Sequence, residues 1–408
     1  MDSSARVVIV GAGHAGGTVA ALLRQYGFAG PITLIGAEAF APYQRPPLSK
    51  AWLKGEADEE ALSLKPLEFY REHGVALRLN THVTAIRRSD KVVILGDGEE
   101  IAYDALILAT GARARRLPLS GADLEGVMSL RDAADAEALK AALHPGVALA
   151  VIGGGYIGLE VAASGRALGA EVTVIEAQPR VLARVAAEPL SRFFESYHRS
   201  KGVQFELGVG VSAIEGENGR ATGVRLSDGR LIPGDVVLVG VGAAPNEELA
   251  RDAGLACANG VTVDLAARTS DPDIFAIGDV AHRPMPIYDR MFRLESVPNA
   301  LEQAKQAAAA IMGMAPPPNE TPWFWSDQYD LKMQIAGLPF DADRVIVRGD
   351  PGAARFAVFH LKGDQIQAVE AVNAPAEFMA GRQLIGSRKP VSPEKLANPA
   401  VSMKEVGA

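Results

Sequence analysis

The sequence predicts an α/β protein with two Rossmann-like nucleotide-binding domains and a C-terminal α+β domain. Three observations carry this. A GxGxxG turn between an apolar strand and a helix occurs twice, the second repeat ends its next strand in an acid, and residues 320–408 hold no such turn but alternate with period two.

The second repeat, residues 147–176, is the more complete. An apolar run at 147–152 reads as a buried parallel strand and breaks into Gly153, Gly155 and Gly158 before a helix. Gly153 suits the tight turn, Gly155 a close approach to a pyrophosphate, and Gly158 the packing of helix on strand. The phosphates would lie on the helix N-terminus, where free N–H groups and the dipole favour negative charge. Val161, Gly165 and Leu168 recur on one helix face, Gly169 follows, and the strand at 172–175 ends at Glu176. A carboxylate there can accept both ribose hydroxyls and would repel a 2′-phosphate, which predicts NADH over NADPH.

The first repeat opens with the strand Val7–Val10, then Gly11, Gly13 and Gly16, a helix to about Tyr26 and a strand at Ile32–Ile35. Its acid, Glu38, comes later than the ~20 residues the fingerprint expects, so it is a weaker ribose candidate than Glu176. Two nucleotide folds suggest two dinucleotides, and the natural pair is a bound flavin and a visiting nicotinamide. The loop PYQRPPLSKAWL at 42–53 is stiffened by three prolines, which would hold Arg45 for a pyrophosphate and Lys50 for an electron-rich ring; the plainer alternative is a solvated surface loop.

Short strands are expected between residues 75 and 94, including one at 81–86. The run ALILAT at 105–110, closed by Gly111, returns the chain to the first sheet, and GARARRLP at 111–118 reads as an exit linker. Two strands at 213–226 and 231–239, joined by Asp228-Gly229, complete the second nucleotide unit at 117–239. IFAIGDV at 274–280 ends in Gly278 and Asp279, at the ligand-binding edge of such a sheet or as a helix cap. Pro298 opens an alanine-rich helix running to Met312, whose positive end would stabilise charge on a reduced ring if it faces one. Beyond Pro316–Pro318, the segment at 322–329 concentrates two of the three tryptophans, and runs at 344–347, 356–361 and 366–372 predict a small antiparallel sheet.

Composition excludes several classes. The 408 residues carry a net charge of −8, which argues against a general nucleic-acid binder. A single cysteine, Cys257, leaves no intramolecular disulfide, CxxC dithiol or cysteine-ligated cluster. The seven histidines are scattered without metal-ligand spacing, so no metal site is expected. No apolar run is long enough for a membrane span and no leader pattern stands out, so a cytoplasmic protein is expected.

Taken together, GAGHAGG at 11–17, RPPLSK at 45–50, ATG at 109–111, VIGGGYIGLEVAA from Val151, GVG at 240–242, AIGD at 276–279, ESVPNA at 295–300 and WFWSDQY at 323–329 resemble one family over essentially the whole length. It is that of the FAD-dependent, NADH-using ferredoxin reductases of bacterial oxygenase systems. The resemblance implies a glutathione-reductase-like fold: a discontinuous FAD domain at 1–116 and 240–319, an inserted NAD domain at 117–239, and a C-terminal interface domain at 320–408. It implies FAD contacts at Gly11, Gly13, Ala15, Gly16, Arg45, Lys50, Val83, Ala109, Thr110, Gly111, Arg131, Gly278, Asp279 and Val297, with Trp325 able to wall the flavin or a docking surface. Where some members carry an acid this chain has Ala37, so Glu38 or the backbone must hold the adenosine ribose. The NADH site falls on Gly153, Gly155, Tyr156, Ile157, Gly158, Glu160, Glu176 and Gly242, with Tyr156 placed to cover the flavin until nicotinamide displaces it. Lys50, Glu160 and Glu295 are the catalytic candidates.

The implied reaction passes electrons from NADH through FAD to a two-iron two-sulfur ferredoxin, and so indirectly to an oxygenase. A monomer or weak dimer is expected, and an acidic partner would dock on Arg382, Arg388 and Lys389 near Trp325. The absence of a dithiol excludes the disulfide-reductase branch of the fold. The alternatives are an NADH oxidase or peroxidase, a rubredoxin or nitrite-type reductase, or a redox-sensing module that binds FAD and NADH without passing electrons on.

Overall fold

Strands covered on both faces lose their polar alternation, and VVIV at Val7–Val10 is buried at every position. It lies at the centre of a five-stranded sheet in the order Ile274–Ala276, Ala105–Leu108, Val7–Val10, Ile32–Ile35, Val75–Arg78, every neighbouring pair parallel. Val7, Ile9, Leu34 and Ile107 pack beneath the helices His14–Gln25 and Val297–Met312. The alternate residues Val8, Val10, Leu106 and Leu108 meet Ile86, Val93 and Leu95 of a small antiparallel sheet on the other face. This computed structural model describes residues 4–407. The chain falls into two compact units, of which this is the first: residues up to Arg45, Glu59–Arg113 and Ala244–Glu320.

The second unit comprises Pro46–Asp58, Ala114–Ala243 and the chain from Thr321 onward. Its parallel sheet runs Gln204–Leu207, Glu171–Glu176, Ala148–Ile152, Val236–Val239, Val127–Met128. The helix Tyr156–Ala167 crosses from its middle strand. A five-stranded antiparallel sheet follows, ordered Trp323–Gln328, Leu331–Gly337, Gln365–Val372, Arg355–Lys362, Arg344–Asp350. Segments 117–239 and 320–408, expected as separate domains, share one core here: Leu149, Val172, Phe194, Leu238, Met333, Phe356 and Val358 belong to a single cluster.

Three segments differ from what their sequence pattern predicts. Residues 213–226 are not one strand but the hairpin Val211–Glu217 and Arg220–Leu226, because Asn218 and Gly219 both take positive φ at a two-residue turn. The expected strand 231–239 divides at Gly234. Leu231–Pro233 stays with the hairpin, while Val236–Val239, apolar on both faces, enters the parallel sheet beside Ala148–Ile152. The strand expected at 81–86 starts at Val83, since Asn80 turns with positive φ and the Thr81 N–H is taken by Gly36 O. Among the described residues no helix is long and apolar enough to cross a membrane.

The C-terminal tail is tied down by a buried arginine. Arg348 donates to the carbonyls of Leu396 (3.2 Å), Asn398 (2.7 Å) and Val401 (2.7 Å), and pairs with Glu377 at 3.4 Å. Those carbonyls lie where no strand partner serves them, so the guanidinium fork substitutes for a ladder. Arg348→Leu is expected to cost about 2–4 kcal/mol in urea unfolding, because several acceptors lose their donor at once. Limited proteolysis should then cut after Leu396 first.

Candidate functional site

In each glycine turn the first and third glycines are closed off by backbone, and the second is open. A Cβ on Gly11 would strike the Ala109 carbonyl, and one on Gly16 the carbonyl of Gly11. In the second unit, Gly153 would strike Gly240 O and Gly158 would strike Gly153 O. By contrast, a Cβ on Gly155 meets nothing within 4 Å, and one on Gly13 meets only the Arg45 guanidinium at 4.0 Å. The packing of the chain therefore explains four of these glycines and leaves Gly13 and Gly155 facing space at a helix N-terminus, as a phosphate cradle requires.

The first unit gathers Ala15, Ala109 and Gly278 around Gly11; Gly278 has φ +77, and a Cβ there would touch the Ala15 methyl at 3.0 Å. Thr110 and Asn246 exchange hydrogen bonds of 2.8 and 2.9 Å, which pins the turn through Gly111. Arg45 is not a solvated cation. It pairs with Glu38 at 2.6 Å, and Glu38 also accepts from Tyr43 Oη at 2.5 Å. Glu38 thus has both oxygens engaged after the strand end where the fingerprint places a ribose acid. Asp279 faces His14, whose imidazole burial pushes below its ordinary pKa, with Asp279 opposing that shift. Glu295 pairs with Arg293 at 2.6 Å, and Val297 begins a helix capped by Ser296. Val83 pairs with Leu95 in the small antiparallel sheet.

The helix Val297–Met312 carries a buried polar stripe, Asn299, Glu302, Gln303 and Gln306. Arg283 holds Glu302 through two bonds of 3.1 Å and Asn299 through one of 3.0 Å. Gln303 accepts from the Gly278 N–H at 2.8 Å. Its Nε2 and the Nδ1 of His14 are buried without a hydrogen-bond partner among the described residues. Polar atoms so placed beside a nucleotide turn fit an acceptor-rich dinucleotide such as FAD. The stripe's i, i+3, i+4, i+7 spacing is the signal available in the sequence, masked there by the alanine-rich composition of the helix.

In the second unit Glu176 ends its strand with one oxygen on the Gly154 N–H (2.8 Å) and the other on the Gln178 N–H (2.8 Å). The carboxylate is thereby fixed beside the open glycine. Tyr156 packs edge-on against Phe324 and donates to Val185 O at 3.2 Å; burial raises its phenol well above the usual range. Ile157 stands 46% exposed on the first helical turn. Gly242 lies beneath two guanidinium groups, Arg184 at 3.8 Å and Arg115 at 3.9 Å from a Cβ built there. Neither arginine stands out in the sequence, Arg115 falling within the apparent linker. Arg131 contributes its N–H to Asp135, and Trp325 lies 5.6 Å from Trp323.

Glu160 is the most heavily bonded of these residues, at 4% exposure. Its Oε2 receives Lys50 Nζ (2.6 Å) and Ser49 Oγ (2.5 Å), and its Oε1 receives Ser326 Oγ (2.6 Å). The short helix Pro46–Ser49 explains how the proline loop delivers both Ser49 and Lys50, and Ser164 Oγ anchors it through Ser49 O at 2.7 Å. Ser326 in turn accepts from Gln328 Nε2 at 3.1 Å, and Gln328 Oε1 meets His198 Nε2 at 2.7 Å. Cys257 stands apart from all of this, its thiol pushed up by burial and by Glu247.

The profile of the pyridine nucleotide-disulphide oxidoreductases matches residues 5–304, and the reductase C-terminal profile matches 323–407. The chain is 56% identical to the probable ferredoxin reductase CtmF of Castellaniella defragrans, over 99% of each chain. It is 44% identical to putidaredoxin reductase CamA of Pseudomonas putida, over 100% of this chain and 97% of that one. The reductase chain of a covalent putidaredoxin reductase–putidaredoxin complex superposes with a TM-score of 0.96 at 43% identity, covering 99% and 98% of the two chains.

Burial lowers the His198 pKa to about 4, with the Gln328 bond opposing the shift. The unfolded chain therefore binds a proton that the folded chain refuses between pH 6.5 and about 4, so stability falls as pH falls through that window. The loss attributable to this residue is ~3 kcal/mol. Urea unfolding from pH 7 to 4 should show it in the wild type, and His198→Gln should flatten that part of the curve.

Proposed function

The chain belongs to the pyridine nucleotide-disulphide oxidoreductase family and, within it, to the ferredoxin reductases; from that premise we propose an FAD-dependent ferredoxin–NAD(+) reductase. It takes electrons from NADH and delivers them to a two-iron two-sulfur ferredoxin that supplies an oxygenase. The observation that supports this most is the pair of glycine turns, each open only at its second glycine, in a chain whose one cysteine cannot form a dithiol. FAD, when bound, supplies the conversion of a two-electron hydride into single electrons.

The chain's own residues hold and orient the nucleotides. Gly13 and Arg45 take the FAD pyrophosphate, with Glu38 and Tyr43 keeping the guanidinium in place. Gln303 and His14 offer it buried polar atoms, and the N-terminus of the helix Val297–Met312 favours negative charge. NADH lies with its phosphates on Gly155 and its adenosine ribose on Glu176, whose fixed carboxylate rejects a 2′-phosphate. Ile157 and Tyr156 line the nicotinamide side, and Arg115 and Arg184 neutralise phosphate near Gly242. Glu160 and Lys50 form the buried ion pair of the nicotinamide site. The ferredoxin docks on a basic edge at Arg382, Arg388 and Lys389; Arg382 lies over the Trp323 ring at 5.4 Å.

Stopped-flow mixing of the yellow protein with NADH should bleach the flavin rapidly, and oxidised ferredoxin should restore it faster than air does. A flavin that NADH leaves oxidised would refute the proposal. Glu176→Gln should lower the preference for NADH over NADPH by about tenfold or more, since it removes a like-charge clash. Gly155→Ala should fold normally yet lose NADH affinity, whereas Gly158→Ala should lose soluble expression, because only the second Cβ strikes backbone.

A further inference from the structure

An ionised carboxylate only accepts, and that fixes the direction of every bond leading to Glu160. Ser326 donates to it, so Ser326 Oγ accepts from Gln328 Nε2, and Gln328 Oε1 must accept a hydrogen bond from His198 Nε2–H. His198 is thus the Nε2–H tautomer, with Nδ1 turned to Tyr329 Oη at 3.5 Å. The four residues are buried and come from three separate stretches: the helix Glu188–Ser200, the strand Trp323–Gln328, and the glycine helix Tyr156–Ala167.

Ordinary packing does not account for this chain. The inward positions of Trp323–Gln328 are Phe324, Ser326 and Gln328, and their surroundings are the aromatic and aliphatic core of the second unit. Apolar residues of similar volume would fill those places without burying four polar groups. The cost is compensated only because each donor finds one acceptor and the last acceptor carries the charge that Lys50 balances.

We propose that His198, Gln328 and Ser326 form a positioning relay that holds Glu160 as a fixed, Lys50-paired carboxylate during hydride transfer from NADH. This rests on the reading of Glu160 as a nicotinamide-site residue. Ser326 sets the rotation of the carboxylate, Gln328 sets the rotation of the Ser326 hydroxyl, and His198 holds Gln328 against an amide flip. A flipped Gln328 would present its carbonyl to Ser326, draw the hydroxyl proton away, and leave Glu160 Oε1 without a donor. None of the three touches the nucleotide in this proposal; they act through Glu160.

The test uses FAD-loaded protein and the variants Glu160→Gln, Ser326→Ala, Ser326→Thr and Gln328→Met. Three quantities are read: the limiting rate of flavin reduction by NADH, the dissociation constant of NAD+ on the oxidised protein, and the 15N signals of the histidine side chains, with His198 identified by His198→Gln. The relay predicts that Ser326→Ala and Gln328→Met each lower the limiting rate about tenfold, while NAD+ affinity changes by less than about twofold. Ser326→Thr, which keeps the hydroxyl, restores the rate. Gln328→Met also releases His198 from the Nε2–H tautomer. Wild-type rates in Ser326→Ala and Gln328→Met beside a slow Glu160→Gln would reject the relay and leave the reading of Glu160 standing. A wild-type rate in Glu160→Gln would remove that reading, and the relay with it. A threonine variant as slow as the alanine variant would also reject the relay, because the hydroxyl would then be irrelevant. If Ser326→Ala does not fold, Gln328→Met is decisive in its place.

Discussion

A carboxylate buried as deeply as Glu160 has to be neutralised where it stands, and much of the second unit is arranged to do so. The penalty for leaving it unpaired would be several kcal/mol. Lys50 supplies the charge, and two serines supply the hydrogen bonds that a single ammonium cannot. This requirement explains why a proline-stiffened loop belongs to the second unit while Arg45, just before it, belongs to the first. It also gives the C-terminal sheet a chemical role, because the edge strand of that sheet contributes the hydroxyl and the amide.

The two glycine turns show one solution applied twice with different finishing. In the second, the strand-end acid is held by backbone N–H groups alone and stays available on its remaining lone pairs. In the first, the corresponding acid is consumed by Arg45 and Tyr43. Under the proposed function, that difference separates a permanent guest at the first turn from an exchanging one at the second. A cation held near a phosphate by its own carboxylate is pre-organised, so less side-chain freedom is lost when the ligand arrives.

How much of this is legible in the sequence depends on whether the signal is local. The glycine turns, the buried strands beside them and Glu176 can be read because spacing alone sets their geometry. The family resemblance then draws attention to Lys50, Glu160 and WFWSDQY. The hairpin at Asn218-Gly219 is equally local, but the polar residues around it hide the break between its strands. Gln303 is hidden by composition, one of three amides in an alanine-rich helix. His198 gives no sign at all, since its partner lies 130 positions away in sequence. Nor does Tyr329, at positive φ in the turn after Trp323–Gln328, carry the Asn or Gly that announces such a turn.

The strand Trp323–Gln328 presents two alternating sets of side chains. Trp323 and Trp325 face one way, and Phe324, Ser326 and Gln328 face the other. Its register is therefore constrained more tightly than any one side chain: inserting or deleting one residue would exchange the two faces at a stroke. Length variation in this chain should collect on either side of the strand and avoid its interior. The spacing of WFWSDQY would then persist even among relatives whose tryptophans have been replaced.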